Sequence, residues 1–213
     1  MDDETAALKA SRDLHRIIVV SPTGSGRSYF EGIFGMVGKS IPGALKDFEQ
    51  GIATWCDEYS EEYPDSYLLE VDLKTAVYWF DQTFERVVVA YGLSTPPEAV
   101  RDVNRLRRFP DVRIGVDRVM GNDTFAADRG HFLSHAAGGE LDINLFPQRR
   151  ELNRGWSAQG KLFRQMERSA ASRPGTFHFH RALYDDDTWI PSSLEYGVLE
   201  DDIDWWIESF ENK

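Results

Sequence analysis

A chain of 213 residues, 41% hydrophobic and 13% aromatic, is long and apolar enough to bury a core, which excludes global disorder. No apolar run approaches the ~18 residues a membrane span requires, and the acidic start MDDETAALKASRD lacks the basic end and apolar middle of a secretory peptide. The net charge of −12 argues against a polyanionic partner in bulk, but it is unevenly spread. Asp128 to Arg181 carries nine Lys or Arg against five Asp or Glu, whereas Tyr184 to Lys213 carries ten acidic residues against one Lys. The expected product is cytoplasmic as synthesised and engages no membrane, although a leaderless secretion route would leave no mark here. Cys56 stands alone, so no internal disulfide forms.

In chain order, His15 to Val20 is a β-branched run that reads as a buried strand. It enters Ser21-Pro-Thr-Gly24-Ser-Gly26-Arg27-Ser28, which invites a phosphate-loop reading. Ser21 stands where the first Gly should be and Arg27 where the Lys should be, so a plain turn is favoured. Pro42 to Tyr59 places Leu45, Phe48, Ile52, Trp55 and Tyr59 at helical spacing and is an amphipathic helix. Tyr67 to Phe80 and Arg86 to Tyr91 supply two or three strands, with a turn near Asp81-Gln82.

Thr95-Pro96-Pro97-Glu98 has a capping-box arrangement and opens a helix that stops before Pro110 and carries Arg105, Arg107 and Arg108. Asp111 to Val119 alternates as a strand, and Gly121-Asn122-Asp123 turns it into a second strand from Thr124. Residues 1–110 and 111–213 are therefore expected as an N-terminal α/β region and a C-terminal unit, with the option that both share one sheet. Ser157 to Ala170 and Glu200 to Phe210 are expected as amphipathic helices, the latter through Ile203, Trp206, Ile207 and Phe210.

Between Asp128 and Trp156, chemically useful side chains recur at spacings that packing alone does not require: Asp128-Arg129-Gly130-His131, Asn144-Leu-Phe-Pro147-Gln148, and Leu152-Asn153-Arg154-Gly155-Trp156. These blocks, in this order, resemble the DNA/RNA non-specific endonucleases, whose core is the ββα-metal or His-Me finger. The likeness covers about Asp117 to Leu199, and Ile190 to Tyr196 is similar to a closing strand of a bacterial branch often found in toxins. It implies an α+β protein with a ββα-metal nuclease core on a mixed or antiparallel sheet.

The resemblance also implies roles. His131 is the general base, and an imidazole suits that work because its ordinary pKa of ~6.5 lies near working pH. Asn153 is the metal ligand for one Mg²⁺ or Mn²⁺ per site, a hard ion that prefers oxygen and keeps its waters. Glu167, the only Glu on the following helix, takes the place of the family carboxylate that anchors metal-bound water, at a longer spacing from Asn153 than is common there. Asn144 and Gln148 hold His131 and the metal in place or touch substrate. Arg129, Arg154, Arg164 and Arg168 are candidate phosphate clamps, since guanidinium pairs bidentately with phosphate oxygens. DNA or RNA is the implied partner, with a cognate inhibitor protein a second one.

Plainer readings stand beside these. Asn144 also suits a turn after Gly138-Gly139, and Asn153 a helix cap. His135 is a loop imidazole open to substrate contact. His178 and His180 share one strand face and are read as structural rather than as zinc ligands. Asp185-Asp186-Asp187 is a solvated turn. The functional rivals are a non-catalytic binding or regulatory protein that keeps the nuclease fold, and a nucleotide-binding protein acting through Ser21 to Ser28.

Overall fold

The structure, a computed structural model, describes residues 17–20, 44–73, 76–97, 117–120, 123–139 and 141–212. Its N-terminal half runs β1 (Ile17–Val20), α1 (Leu45–Glu62), β2 (Leu68–Asp72), β3 (Ala76–Asp81) and β4 (Arg86–Leu93). A small unit follows, made of β5 (Asp117–Met120), β6 (Asp123–His131), β7 (Leu145–Arg149) and the short helix α2 (Arg150–Asn153). The chain closes with α3 (Ala158–Ser172), β8 (Phe177–Leu183), β9 (Ser193–Glu200) and β10 (Asp204–Glu211). The Ser21 to Ser28 loop, the helix expected beyond Pro97 and the strand residues before Asp117 lie outside the described residues.

A seven-stranded sheet runs in the order β1-β2-β3-β4-β8-β9-β10, and a three-stranded sheet in the order β5-β6-β7. Only β1 and β2 pair in parallel among the described strands. The architecture is α+β. The large sheet crosses the boundary near residue 110, because β4 pairs with β8 and sets Ala90 opposite His180.

Two helices cover the two faces of this sheet. On α1, Leu45, Phe48, Ile52, Cys56 and Tyr59 recur every three or four residues, continued by Tyr63 at its C-terminal cap, and all are buried. The Phe48 ring lies 4.9–5.7 Å, centre to centre, from those of Trp55, Tyr91, Phe177, Phe179 and Trp205. On α3, Phe163, Met166 and Ala170 are buried, and Phe163 meets His180, Tyr196 and Phe210 at 5.7, 5.5 and 5.1 Å. Strand alternation explains the division, since Phe177 and Phe179 turn to α1 while the even-numbered His180 turns to α3.

One element differs from expectation. Glu200 to Phe210 is not a helix: after a turn in which Asp201 and Asp202 adopt positive φ (50° and 61°), Asp204 to Glu211 pairs residue for residue with β9. Ile203, Trp206, Ile207 and Phe210 fit a helical spacing, yet Trp205 packs toward α1 and Phe210 toward α3, as odd and even strand positions must. The pairing edge offered by β9 outweighs the local period, and the adjacent β-prone Trp205, Trp206 and Ile207 suit it.

A buried arginine anchors the acidic loop. Arg86 is ringed by Tyr59, Tyr63, Phe84 and Tyr184 at 4.0–5.2 Å, and its Nε donates to the Tyr59 hydroxyl, which donates in turn to Asp81 (2.6 and 2.7 Å). Its Nη1 donates to the carbonyls of Asp186 and Thr188, fixing the Asp185 to Asp187 segment as a turn.

His178 and His180 are buried, and His178 Nδ1 and both nitrogens of His180 have no hydrogen-bond partner among the described residues. Burial pushes the His178 imidazole down to about 4, and burial, then the neighbouring His178, pushes His180 well below its ordinary value. The folded state holds both neutral while the unfolded chain takes up protons below about pH 6.5, so stability is complete above that pH and is lost as pH falls toward 4. His178 alone accounts for a loss on the order of 3 kcal/mol by pH 4. Urea midpoints across this window should fall less in His178→Gln than in the wild type; parallel curves would refute the assignment.

Candidate active site

The site is built on the β6–β7 hairpin and the two helices that follow. Asp128 pins α2 to β6: Arg154 donates to its carboxylate through Nε and Nη2 (2.5 and 3.1 Å), and Arg150 through Nε (3.2 Å). Burial works to raise the Asp128 carboxyl, but the hydrogen bonds and charges of Arg154 and Arg150 outweigh it and hold the group below its usual range. Gly130 must be small because a Cβ there would lie 2.5 Å from the Cβ of Gln148 on β7.

Beyond β6 the chain turns sharply and is gripped by Asn144. The Leu133 N–H donates to Asn144 Oδ1 and Asn144 Nδ2 donates to the Leu133 carbonyl, both at 2.7 Å, with Asn144 wholly buried. His131, at the end of β6, thus leads into a fixed loop. At the far end of the hairpin Asn212 accepts from the Arg149 N–H (2.8 Å) and donates to the carbonyls of Pro147 and Pro191 (3.0 and 2.8 Å), tying β7 to the loop before β9.

These supports produce a cleft of about 370 Å³ between the β6 end and α3. Six of the residues singled out in the sequence line it together: Arg129, His131, Asn153, Arg164, Glu167 and Arg168. Asn153 Nδ2 is turned to the Arg129 carbonyl at 3.5 Å, which leaves Oδ1 as the end for a ligand. Glu167 accepts from Arg164 Nη1 at 2.7 Å. Burial raises the Glu167 carboxyl above its ordinary value, and the charges of Arg164 and Arg168 counter it only in part. The α3 helix is capped by Ser157, whose hydroxyl accepts from the Gly160 N–H, and Glu167 on it lines the same cleft as Asn153 in spite of the long spacing.

Three expected site residues do not reach the cleft. Asn144 acts on the loop backbone instead. Gln148 is 1% exposed beneath Gly130 within the hairpin, where no substrate contact is open to it. Arg154 lies on the outer surface, paired with Asp128 and set over the exposed Trp156 ring at 5.0 Å. His135, noted in the sequence as a loop imidazole, lines the cleft as well, its ring centre 6.5 Å from that of His131. Ser134, which was not singled out in the sequence, joins it there and caps the turn by accepting from the Ala137 N–H.

No family model matches the chain, and no curated protein matches it in sequence. Among the described residues no three His, Cys, Asp or Glu side chains group closely enough to hold a metal ion by themselves.

Removing the Asn144 clamp leaves the Leu133 N–H and carbonyl buried without partners. Asn144→Ala should therefore lower unfolding free energy by about 2–4 kcal/mol in urea titrations. A change within error of zero would show that the loop does not depend on the clamp.

Proposed function

We propose that this protein is a metal-dependent endonuclease that hydrolyses DNA, and RNA by the same route, with little sequence preference. The observation that carries the reading is the convergence of His131 and Asn153 on one cleft ringed by Arg129, Arg164 and Arg168. The β6–β7–α2 unit, with an imidazole at the end of its first strand and a carboxamide on its helix, supports a ββα-metal core.

The donors present suit a hard cation. Asn153 Oδ1 and the Glu167 carboxylate are oxygen ligands, and so small a set fits an ion that keeps most of its water. When bound, such an ion would neutralise charge on the scissile phosphate. In this reading His131 takes the proton from the attacking water. Arg129 and Arg168 bind non-bridging phosphate oxygens, and Arg164, held by Glu167, adds a third positive group at the cleft wall. Contacts of this kind address the backbone rather than base edges, which is why sequence preference is weak. Gln148 and Arg154 act through the scaffold.

A non-catalytic nucleic-acid-binding protein is the second reading, favoured by the absence of a three-carboxylate or imidazole cluster among the described residues. Plasmid cutting in Mg²⁺, Mn²⁺ and Ca²⁺ separates the two. Cleavage is expected in Mg²⁺ or Mn²⁺ and should drop at least about a thousandfold in His131→Ala and in Asn153→Ala. Binding of DNA without cutting in any of the three ions would support the second reading.

A further inference from the structure

The cleft holds a second imidazole, and its surroundings are as firmly built as those of the first. His135 starts a one-turn 3₁₀ segment (His135–Ala137). The Gly138 N–H donates to the His135 carbonyl (3.1 Å), the Gly139 N–H to the Ser134 carbonyl (2.9 Å), and the Thr95 N–H to the Ala137 carbonyl (2.8 Å). A Cβ at Gly139 would lie 1.8 Å from the Leu133 carbonyl oxygen, so the loop closes only with glycine there. With Leu133 held on both backbone atoms by Asn144, the backbone of His135 is fixed relative to that of His131.

The spacing suits one phosphodiester. Attacking and leaving oxygens lie on opposite sides of phosphorus, roughly 5 Å apart in a near-attack arrangement, and each needs a proton partner within about 3 Å. Two rings whose centres are 6.5 Å apart can serve both oxygens. Having taken the water proton, His131 is on the wrong side to serve the leaving oxygen. Among the described residues, the charged and titratable groups that line the cleft with His135 are Arg129 and His131 on β6 and Arg164, Glu167 and Arg168 on α3. The guanidinium groups do not give up protons in proteins, and Glu167 is engaged with Arg164.

Resting on the nuclease reading, we infer that His135 is a catalytic residue of its own, the general acid that protonates the leaving oxygen. Water gives one proton to His131 as its oxygen bonds to phosphorus. The bond from phosphorus to the leaving ester oxygen breaks, and the His135 imidazolium delivers its proton to that oxygen. The products are a phosphate monoester and an alcohol, and solvent restores the two rings to their starting protonation.

The test uses the full chain with Mg²⁺ or Mn²⁺ and a short oligonucleotide. End-group analysis of the wild-type products identifies the leaving oxygen, and a second oligonucleotide carries sulfur at that bridging position. A thiolate leaves without prior protonation, because thiols are far more acidic than alcohols. His135→Ala and His135→Gln should each slow the natural ester about a hundredfold yet cut the sulfur-bridged ester within about threefold of wild type. Natural-ester rates close to wild type, or equal slowing of both esters as a binding or folding defect would give, overturn the assignment. Failure of the wild type to cut either substrate overturns the nuclease reading, and this inference with it.

Discussion

Helix α3 buries Phe163, Met166 and Ala170 against the even-numbered face of the large sheet, and the rest of the site depends on that contact. Burying Phe163 and Met166 is worth roughly 1.5–3 kcal/mol each, more than the ~0–1 kcal/mol typical of an exposed ion pair. Once those side chains are seated, helical geometry obliges Arg164, Glu167 and Arg168 to emerge on another side, facing the end of β6. The charge pattern of the cleft is thus tied to apolar packing on the neighbouring face of the same helix, with Glu167 next to the buried stripe and Arg164 and Arg168 further round. The Glu167 carboxylate tolerates its half of this arrangement because Arg164 is one turn away on the same helix.

The polar residues of the hairpin divide into those that face the cleft and those that hold it. Asp128, Asn144, Gly130 and Asn212 belong to the second group: they pin α2, grip the turn after His131, admit Gln148 and tie β7 to the body. Buried amides that satisfy backbone groups on both sides are costly to remove and leave little freedom to the segment they grip. On the nuclease reading proposed above, such rigidity is an advantage, since freedom at a reacting side chain would have to be lost again at each turnover. The same supports fix the backbone that carries His131 and His135.

Local sequence carried much of this. The β-branched and aromatic runs marked β1 to β4 and β8, the three-and-four spacing marked α1 and α3, and the ordered blocks together with the helix after them held six site candidates that share one cleft, Arg129, His131 and Asn153 from the blocks and Arg164, Glu167 and Arg168 from the helix. The identity of a residue in a block did not disclose which way it points: Gln148 and Arg154 sit in blocks as specific as that of Asn153, yet one packs beneath Gly130 and the other pairs with Asp128 on the surface. The residue across the hairpin decides it for Gln148 and the Asp128 carboxylate on β6 decides it for Arg154, and neither partner is readable from the block itself.

What the amino-acid order determined by itself is therefore the repertoire: an α+β chain, its buried faces, and the imidazole, carboxamide, carboxylate and guanidinium side chains that meet in one cleft. Tertiary structure alone decided three things. It joined strands from both sides of residue 110 into one sheet, it drew Glu200 to Phe210 out of a helical period into β10, and it set His135 beside His131. Each outcome rests on hydrogen bonds or contacts between segments far apart in the chain, such as Ala90 with His180, Glu211 with Ser193 and Thr95 with Ala137, whose free energy no local pattern encodes.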